Sequence, residues 1–328
     1  MRQILLSVVL VLSLQLSSKP RFRVMTWNVE NLFDCRHDTL KADEEFLPES
    51  ERQWTWGRYW RKIEDVGRVV MGVGGEEPPA LVGLCEVEND SVMTDLTQHS
   101  TLWAMRYKYV MTNSPDRRGI DVALMYSPLL FQLLGSESKR VPSERHGLPP
   151  TRDLLHAWGR LPSGDTLHVV VCHLPSRAGN SRESKRNRRL ALETLDRLVD
   201  SLAVSVEGCR LLVMGDFNAT LRELKGLECL WTGQPEAVPS GGMLIPLTPD
   251  SRYPTNGTYR FRGNWSWIDH IMVSPSLYNK VSAALLYTRP WMQRQMADGT
   301  WYPRRTYLGT TYSGGVSDHV PAYCDVFW

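Results

Sequence analysis

A mixed α/β fold, with two β-sheets packed face to face and helices outside them, is predicted by three observations. Apolar runs of strand length recur from Phe22 to the C-terminus, too many and too consecutive for one small sheet. Stripes of helical period interrupt them at only two places. The composition, 42% hydrophobic and 23% charged over 328 residues without a long biased run, excludes a disordered, collagen-like or coiled-coil chain.

Phe22–Asn28 opens as a strand, and Ile63, Val66, Val70 and Val73 then mark one face of a helix. Ala80–Cys85 is continuously apolar, as a strand buried on both faces should be. Tyr107–Met111, Ile120–Tyr126, Leu154–Leu161 and Thr166–Cys172 are four further strands, set apart by Pro, Gly and Ser clusters. A helix over Ser181–Leu202 carries Ala191, Leu195, Leu198 and Leu202 on one stripe. Strands at Arg210–Gly215, Trp267–Ser274, Ala283–Thr288 and Val320–Phe327 complete the series. Arg36–Gly57 and Arg289–Val316 read as long irregular segments of the kind that carry function.

The N-terminus is a different kind of sequence. After Arg2, Ile4 to Leu16 is apolar except for Ser7, Ser13 and Gln15, the length of a signal h-region and too short to span a bilayer comfortably. Residues 1–18 are therefore expected to be a signal peptide and 19–328 one exported domain, with no membrane span after its removal. Export permits disulfides, yet Cys85, Cys172 and Cys324 lie inside apolar strands, where thiols behave as small hydrophobes. Lys and Arg number 38 against 36 Asp and Glu, so any affinity for a polyanion must come from a local patch.

The polar residues that interrupt the strands share one pattern. Asn28 closes the first strand, Glu86 follows ALVGLC, His173 follows HVVVC, Asp216 and Asn218 follow LLVMG, and Asp269 falls in WSWIDHIMVS. Asp318 and His319 precede the last strand. A carboxylate or imidazole in such a place is costly unless paired or metal-bound. Oxygen donors dominate the set, which selects Mg²⁺, with Mn²⁺ or Ca²⁺ as alternatives, over zinc.

In chain order, TWNVENLFD, GLCEVEND, RGIDVALMY, VCHLPSR, MGDFNAT, SWIDHIMVS and GVSDHVPAY resemble the motif set of the endonuclease/exonuclease/phosphatase superfamily, of its deoxyribonuclease-like, exported bacterial kind. That resemblance covers about Phe22 to the C-terminus and implies a four-layer α/β sandwich in which both chain ends meet at one site. It implies Glu86 as the principal metal ligand, Asn28 beside it, and Asp318 as a further carboxylate near the metal. Asp216 would hold or activate the attacking water, Asn218 would donate to the phosphate, and His319 with Asp269 would form a histidine–carboxylate pair. His173 matches the histidine of the nuclease branch, with Asp121 as its expected partner. Glu30 reads as a surface or supporting carboxylate, and His270 as structural.

The expected substrate is a nucleic acid. Arg177–Arg189 holds six basic residues against Glu183, four residues beyond His173. On a helix this is a stripe that can follow successive phosphates. The aromatic and basic residues of Arg289–Val316 suit base stacking and phosphate contact. Arg118, Arg152 and Arg177 are the expected phosphate contacts beside the site. A phosphatase or phosphodiesterase acting on small, inositol or lipid phosphates is the second reading, and a non-catalytic binding module the weakest. No stable protein partner is implied, and the expected state is a monomer.

Overall fold

In the computed structural model the described residues are 20–328, apart from 76, 177–181, 225, 234–236, 238–241, 250–256 and 298. The expected signal segment and Arg177 lie outside them.

Twelve strands form two six-stranded sheets. They are β1 (Arg21–Leu32), β2 (Leu81–Val87), β3 (Lys108–Met111), β4 (Asp121–Tyr126), β5 (Gln132–Lys139) and β6 (Leu154–Arg160). There follow β7 (Thr166–His173), β8 (Arg210–Asp216), β9 (Ile245–Pro246), β10 (Asp269–Val273), β11 (Leu285–Leu286) and β12 (Ala322–Phe327). The first sheet runs β11-β12-β1-β2-β4-β3 and the second β5-β6-β7-β8-β10-β9. Each is mixed: β1 pairs parallel with β2 but antiparallel with β12, and β7 pairs parallel with β8 but antiparallel with β6.

Alternation along the strands separates three cores. Val24, Val122 and Leu124 of the first sheet meet Val169, Val171, Leu212 and Met214 of the second in the central layer. Helix α1 (Trp56–Gly74) lays Tyr59, Ile63, Val66, Val70 and Val73 on the outer face of the first sheet, beneath Met25, Trp27 and Val82. Helix α2 (Arg182–Ser205) covers the second sheet with Leu195, Leu198 and Leu202 against Val170 and Val213. Each such aliphatic side chain contributes about 1.5–3 kcal/mol by burial. The result is the expected four-layer sandwich.

Two strands of the large sheets escape the sequence reading, as does the hairpin that pairs Tyr259–Phe261 with Asn264–Ser266. β5 is a mostly exposed edge, QLLGSESK, that alternates without a wide apolar face, and β9 has only two residues. Conversely, the strand expected at Ala283–Thr288 contracts to β11. Arg289–Val316 is less irregular than expected, since Gln293–Gln295 pairs with Trp301–Pro303 and Tyr307–Leu308 with Thr311–Tyr312. All six cysteines are free thiols, five of them buried. Among the described residues no helix is long and apolar enough to cross a membrane.

Candidate active site

Three neighbouring strands of the second sheet end in one row of polar side chains. Parallel register sets His173 of β7 opposite Asp216 of β8, and antiparallel register sets Asp269 of β10 opposite the same Asp216. Gly215 makes this possible. Its φ is 144°, and a Cβ there would overlap the carbonyl oxygen of Cys172. Asp216 Oδ2 becomes the hub of the site. Asn28 Nδ2 donates to it over 3.0 Å and Asn218 Nδ2 over 3.2 Å, while the Nε2 atoms of His173 and His319 lie 3.6 and 3.8 Å away. The backbone N–H of Asn218 donates to the other oxygen.

The first sheet supplies the opposite wall through two irregularities. Its β1–β2 register shifts between Asn28 and Leu32, and β2–β4 shifts between Cys85 and Val87. Of the seven non-glycine residues with positive φ among the described ones, four line the cleft: Glu30, Asn31, Glu86 and Asn218. Backbone held in this sparsely populated region re-aims side chains at a cost that the surrounding structure must carry. Here it brings Glu86 into the cleft, where its Oε2 accepts from the Asn31 N–H at 2.8 Å and its Oε1 stands 3.9 Å from His173 Nε2.

The two imidazoles that flank Asp216 are driven in opposite directions. His319 Nδ1 donates to Asp269 Oδ2 over 2.8 Å in a buried pair. Burial alone would lower its pKa, but Asp269 and then Asp216 raise it well above the usual histidine range, which favours the imidazolium form. His173 is held well below that range by burial, then by Arg152 and Arg118, and is neutral. Burial and the neighbouring Asp269 push Asp216 up to about 7, against the pull of His319. For Glu86 burial acts upwards, yet Arg118 and His319 outweigh it and leave an ionised carboxylate. The surroundings thus favour charge on Glu86 and on His319 and disfavour it on His173, so the two imidazoles beside Asp216 are driven apart.

Several expected residues take other places. Arg152 is not a phosphate contact: it is buried, donating to Asp116 at 3.0 Å and to the carbonyls of His173 and Leu174. It braces the end of β7. Asp121 does not reach His173 but accepts from Thr112 and Ser114, and His173 Nδ1 is buried without a hydrogen-bond partner among the described residues. Asp318 does line the cleft, with Oδ1 3.9 Å from His319 Nε2, and its other oxygen is paired with Arg305 at 2.7 Å. Arg118 does line the cleft, donating to Asn31 Oδ1 at 2.7 Å. His270 is structural as expected, bonded to the Ala219 carbonyl at 2.8 Å.

Glu30 is no surface residue. It is buried and lines the cleft, and burial with the nearby Asp318 pushes it up to about 7. Arg305 is one of the basic residues of Arg289–Val316 expected to suit phosphate contact, whereas Lys62, Tyr259 and Thr306 were missed. Only Lys62 left a signal, as a lysine within the apolar stripe of α1. Tyr259 packs its ring 4.7 Å from that of His319 and accepts from Arg305. The cleft holds about 260 Å³, and Arg52, Arg118 and Arg305 all stand in its walls.

The model of the Endonuclease/Exonuclease/phosphatase family matches residues 23–327. The chain belongs to that family. Its members are hydrolases of phosphate esters, typically dependent on a divalent metal. Among solved structures, truncated Caenorhabditis elegans TDP2 is 17% identical with a TM-score of 0.60, covering 94% of this chain and 98% of that one. The human Nocturnin catalytic domain is 18% identical with a TM-score of 0.55, covering 94% of each chain. A Bacteroides thetaiotaomicron mannosyl-6-phosphatase is 16% identical with a TM-score of 0.57, covering 93% of this chain and 100% of that one. At these identities the likeness is one of fold. No curated protein matches the chain.

Within this family member, Asp216, Asp269 and His319 form the one acid–imidazole group among the described residues whose ligand atoms all lie within 4.8 Å. With Nδ1 of His319 bonded to Asp269, the atoms this trio could offer a cation are His319 Nε2 and the oxygens of Asp216 and Asp269. Glu86, ionised and flanked by the amide of Asn28, is the oxygen-donor position that fits a hard divalent cation.

Proposed function

We propose that this protein is an exported, divalent-metal-dependent phosphodiesterase that hydrolyses nucleic acid as an endonuclease. The observation that carries the chemistry is the single oxygen of Asp216 set between the Nε2 atoms of His173 and His319, 3.6 and 3.8 Å away. Asp216 takes the proton of the attacking water. His319, fixed by Asp269, places positive charge at the non-bridging phosphoryl oxygens as negative charge develops there. His173 offers an N–H hydrogen bond to the phosphoryl or leaving oxygen, and the departing alkoxide takes its proton from solvent. A cation held by Glu86 and Asn28 would supply Lewis-acid neutralisation of the phosphate; Mg²⁺ suits these ligands, and Mn²⁺ or Ca²⁺ shares the preference.

Support for a polymeric substrate comes from the rim. Helix α2 is tied to the segment after His173, with Ser184 bonded to the Ser176 carbonyl at 2.5 Å and Arg188 to that of Pro175 at 2.9 Å. Ser176 lines the cleft, and Arg182, Lys185, Arg186 and Arg189, the last paired with Glu193, are exposed on the first turns of the helix bonded to it. On the other side Phe261 and Trp301 are exposed on two hairpins whose Arg260 stacks on Tyr302. Bases can stack on such a surface while arginines follow the backbone.

One feature favours a second reading. Arg52, Arg118 and Arg305 converge on one cleft, the arrangement that the extra charge of a terminal phosphate monoester requires. Purified protein with Mg²⁺ or Mn²⁺, given plasmid DNA, RNA, bis-p-nitrophenyl phosphate and p-nitrophenyl phosphate in parallel, separates the two. The nuclease reading expects the polymers and the diester to turn over fastest. Faster turnover of the monoester would replace it with a phosphatase. Export rests on the apolar run Ile4 to Leu16, and N-terminal sequencing of the secreted protein should begin near Lys19; recovery of the chain with Met1 inside cells would refute it.

A further inference from the structure

Lys62 stands where α1 should be apolar, one turn after Tyr59 and next to Ile63, and it is buried. An ammonium in such a place is costly unless its donors are used. Lys62 Nζ donates to the backbone carbonyl of Glu30 and, over 2.8 Å, to Thr306 Oγ1. The two acceptors are themselves joined, since the Thr306 N–H donates to Glu30 Oε2 at 2.7 Å.

Each acceptor leads to a different part of the cleft. Glu30 and the next residue, Asn31, both have φ of 52°, and this left-handed pair presents the Asn31 N–H to Glu86 at 2.8 Å and Asn31 Oδ1 to Arg118 at 2.7 Å. Thr306 follows Arg305, whose guanidinium reaches Asp318 at 2.7 Å and the Tyr259 hydroxyl at 3.1 Å. Glu30 and Asn31 sit where β1 breaks register with β2, between Asn28 and Leu32, and Thr306 lies outside any helix or strand, so a buried donor bonded to both helps to fix where they sit.

We infer that Lys62 is a positioning residue with two arms, orienting Glu86 through the Glu30–Asn31 turn and Arg305 through Thr306. Cation affinity and substrate affinity are thereby set by one side chain that touches neither ligand. This rests on the reading of Glu86 as the cation-holding carboxylate.

The two arms can be cut separately. Lys62→Met keeps length and removes all donors, while Thr306→Val removes only the acceptor on the Arg305 side. Mn²⁺ binding is measured on full-length, substrate-free protein from the electron paramagnetic resonance signal of the free ion. KM and kcat are measured with bis-p-nitrophenyl phosphate, and Tm is recorded for each variant. Lys62→Met should weaken Mn²⁺ binding by about 10–100-fold, as loss of a group supporting a metal ligand does, and should raise KM. Thr306→Val should raise KM by about 10-fold, the loss of one hydrogen bond to a charged group, and leave Mn²⁺ affinity unchanged. A Lys62→Met protein with lowered Tm but wild-type Mn²⁺ affinity and KM would reduce Lys62 to a structural residue and overturn the inference. Equal weakening of Mn²⁺ binding in both variants would overturn the two-arm division. If Lys62→Met does not fold, the split between KM and Mn²⁺ affinity in Thr306→Val still decides. Wild-type protein that binds no Mn²⁺ would instead remove the Glu86 assignment, and this inference with it.

Discussion

Asp269 and His319 should behave as one catalytic unit, and Asp269→Asn is the perturbation that shows it. The pair is buried, with 2.8 Å between Oδ2 and Nδ1, and Asp269 is the largest influence raising the imidazole's pKa. Breaking such a pair by removing one partner costs about 3–5 kcal/mol. If that cost falls on the transition state, kcat/KM drops by about two to four decades, at about 1.4 kcal/mol per decade. His319→Ala should lose a similar amount, and the double variant little more, because the second change finds the interaction already gone. Independent action would double the loss in free energy. The pH profile gives a second readout. Activity that needs the imidazolium is full below its folded pKa and falls as pH rises through it. Without Asp269 that basic limb should move to lower pH. Steady-state kinetics on bis-p-nitrophenyl phosphate across pH, for the wild type, both single variants and the double, measures all of this. Additive losses, or a basic limb that stays in place, would refute the reasoning.

Glu86→Gln keeps the shape of the side chain but removes the standing anion from the cleft, so turnover should be nearly abolished, as it should be in excess EDTA; full turnover under either condition contradicts the assignment. Asp216 and Glu30 are raised to about 7, by burial first and then by Asp269 and Asp318 respectively. In the metal-free protein the folded state therefore keeps protons that the unfolded state releases near pH 4. Each group then withdraws up to about 1.4 kcal/mol per pH unit between about pH 4 and 7 as pH rises. A divalent cation that neutralises this charge should raise Tm more at about pH 8 than at about pH 5.5, and an equal gain in thermal melts would count against it. On nucleic acid, KM should rise with salt by about one decade per contacted phosphate per decade of salt. Alanine at Arg182, Lys185 and Arg189 should flatten that slope with turnover largely kept; a salt-independent KM refutes contact by α2.

What the sequence determined by itself was the layer order and most of the polar residues that meet in one cleft. Periods of two and of 3.6 are local properties, and a continuous apolar run such as Ala80–Cys85 can only be a strand with both faces covered. Polar residues at the ends of such runs are also legible, because burying them demands a reason. Asn28, Glu86, His173, Asp216, Asn218 and His319 do line one cleft, and Asp269 is bonded to His319 behind it. Only the tertiary structure decided the partnerships. Asp121 and Arg152 sit beside the motifs in sequence, yet register and packing direct one to Thr112 and Ser114 and the other to Asp116. Asp318 faces Arg305, from a loop whose fold no periodicity announces. Lys62 meets Glu30 and Thr306, 32 and 244 residues away in sequence. Contacts of that range depend on how two sheets close upon each other, and the order of residues along one strand carries no record of it.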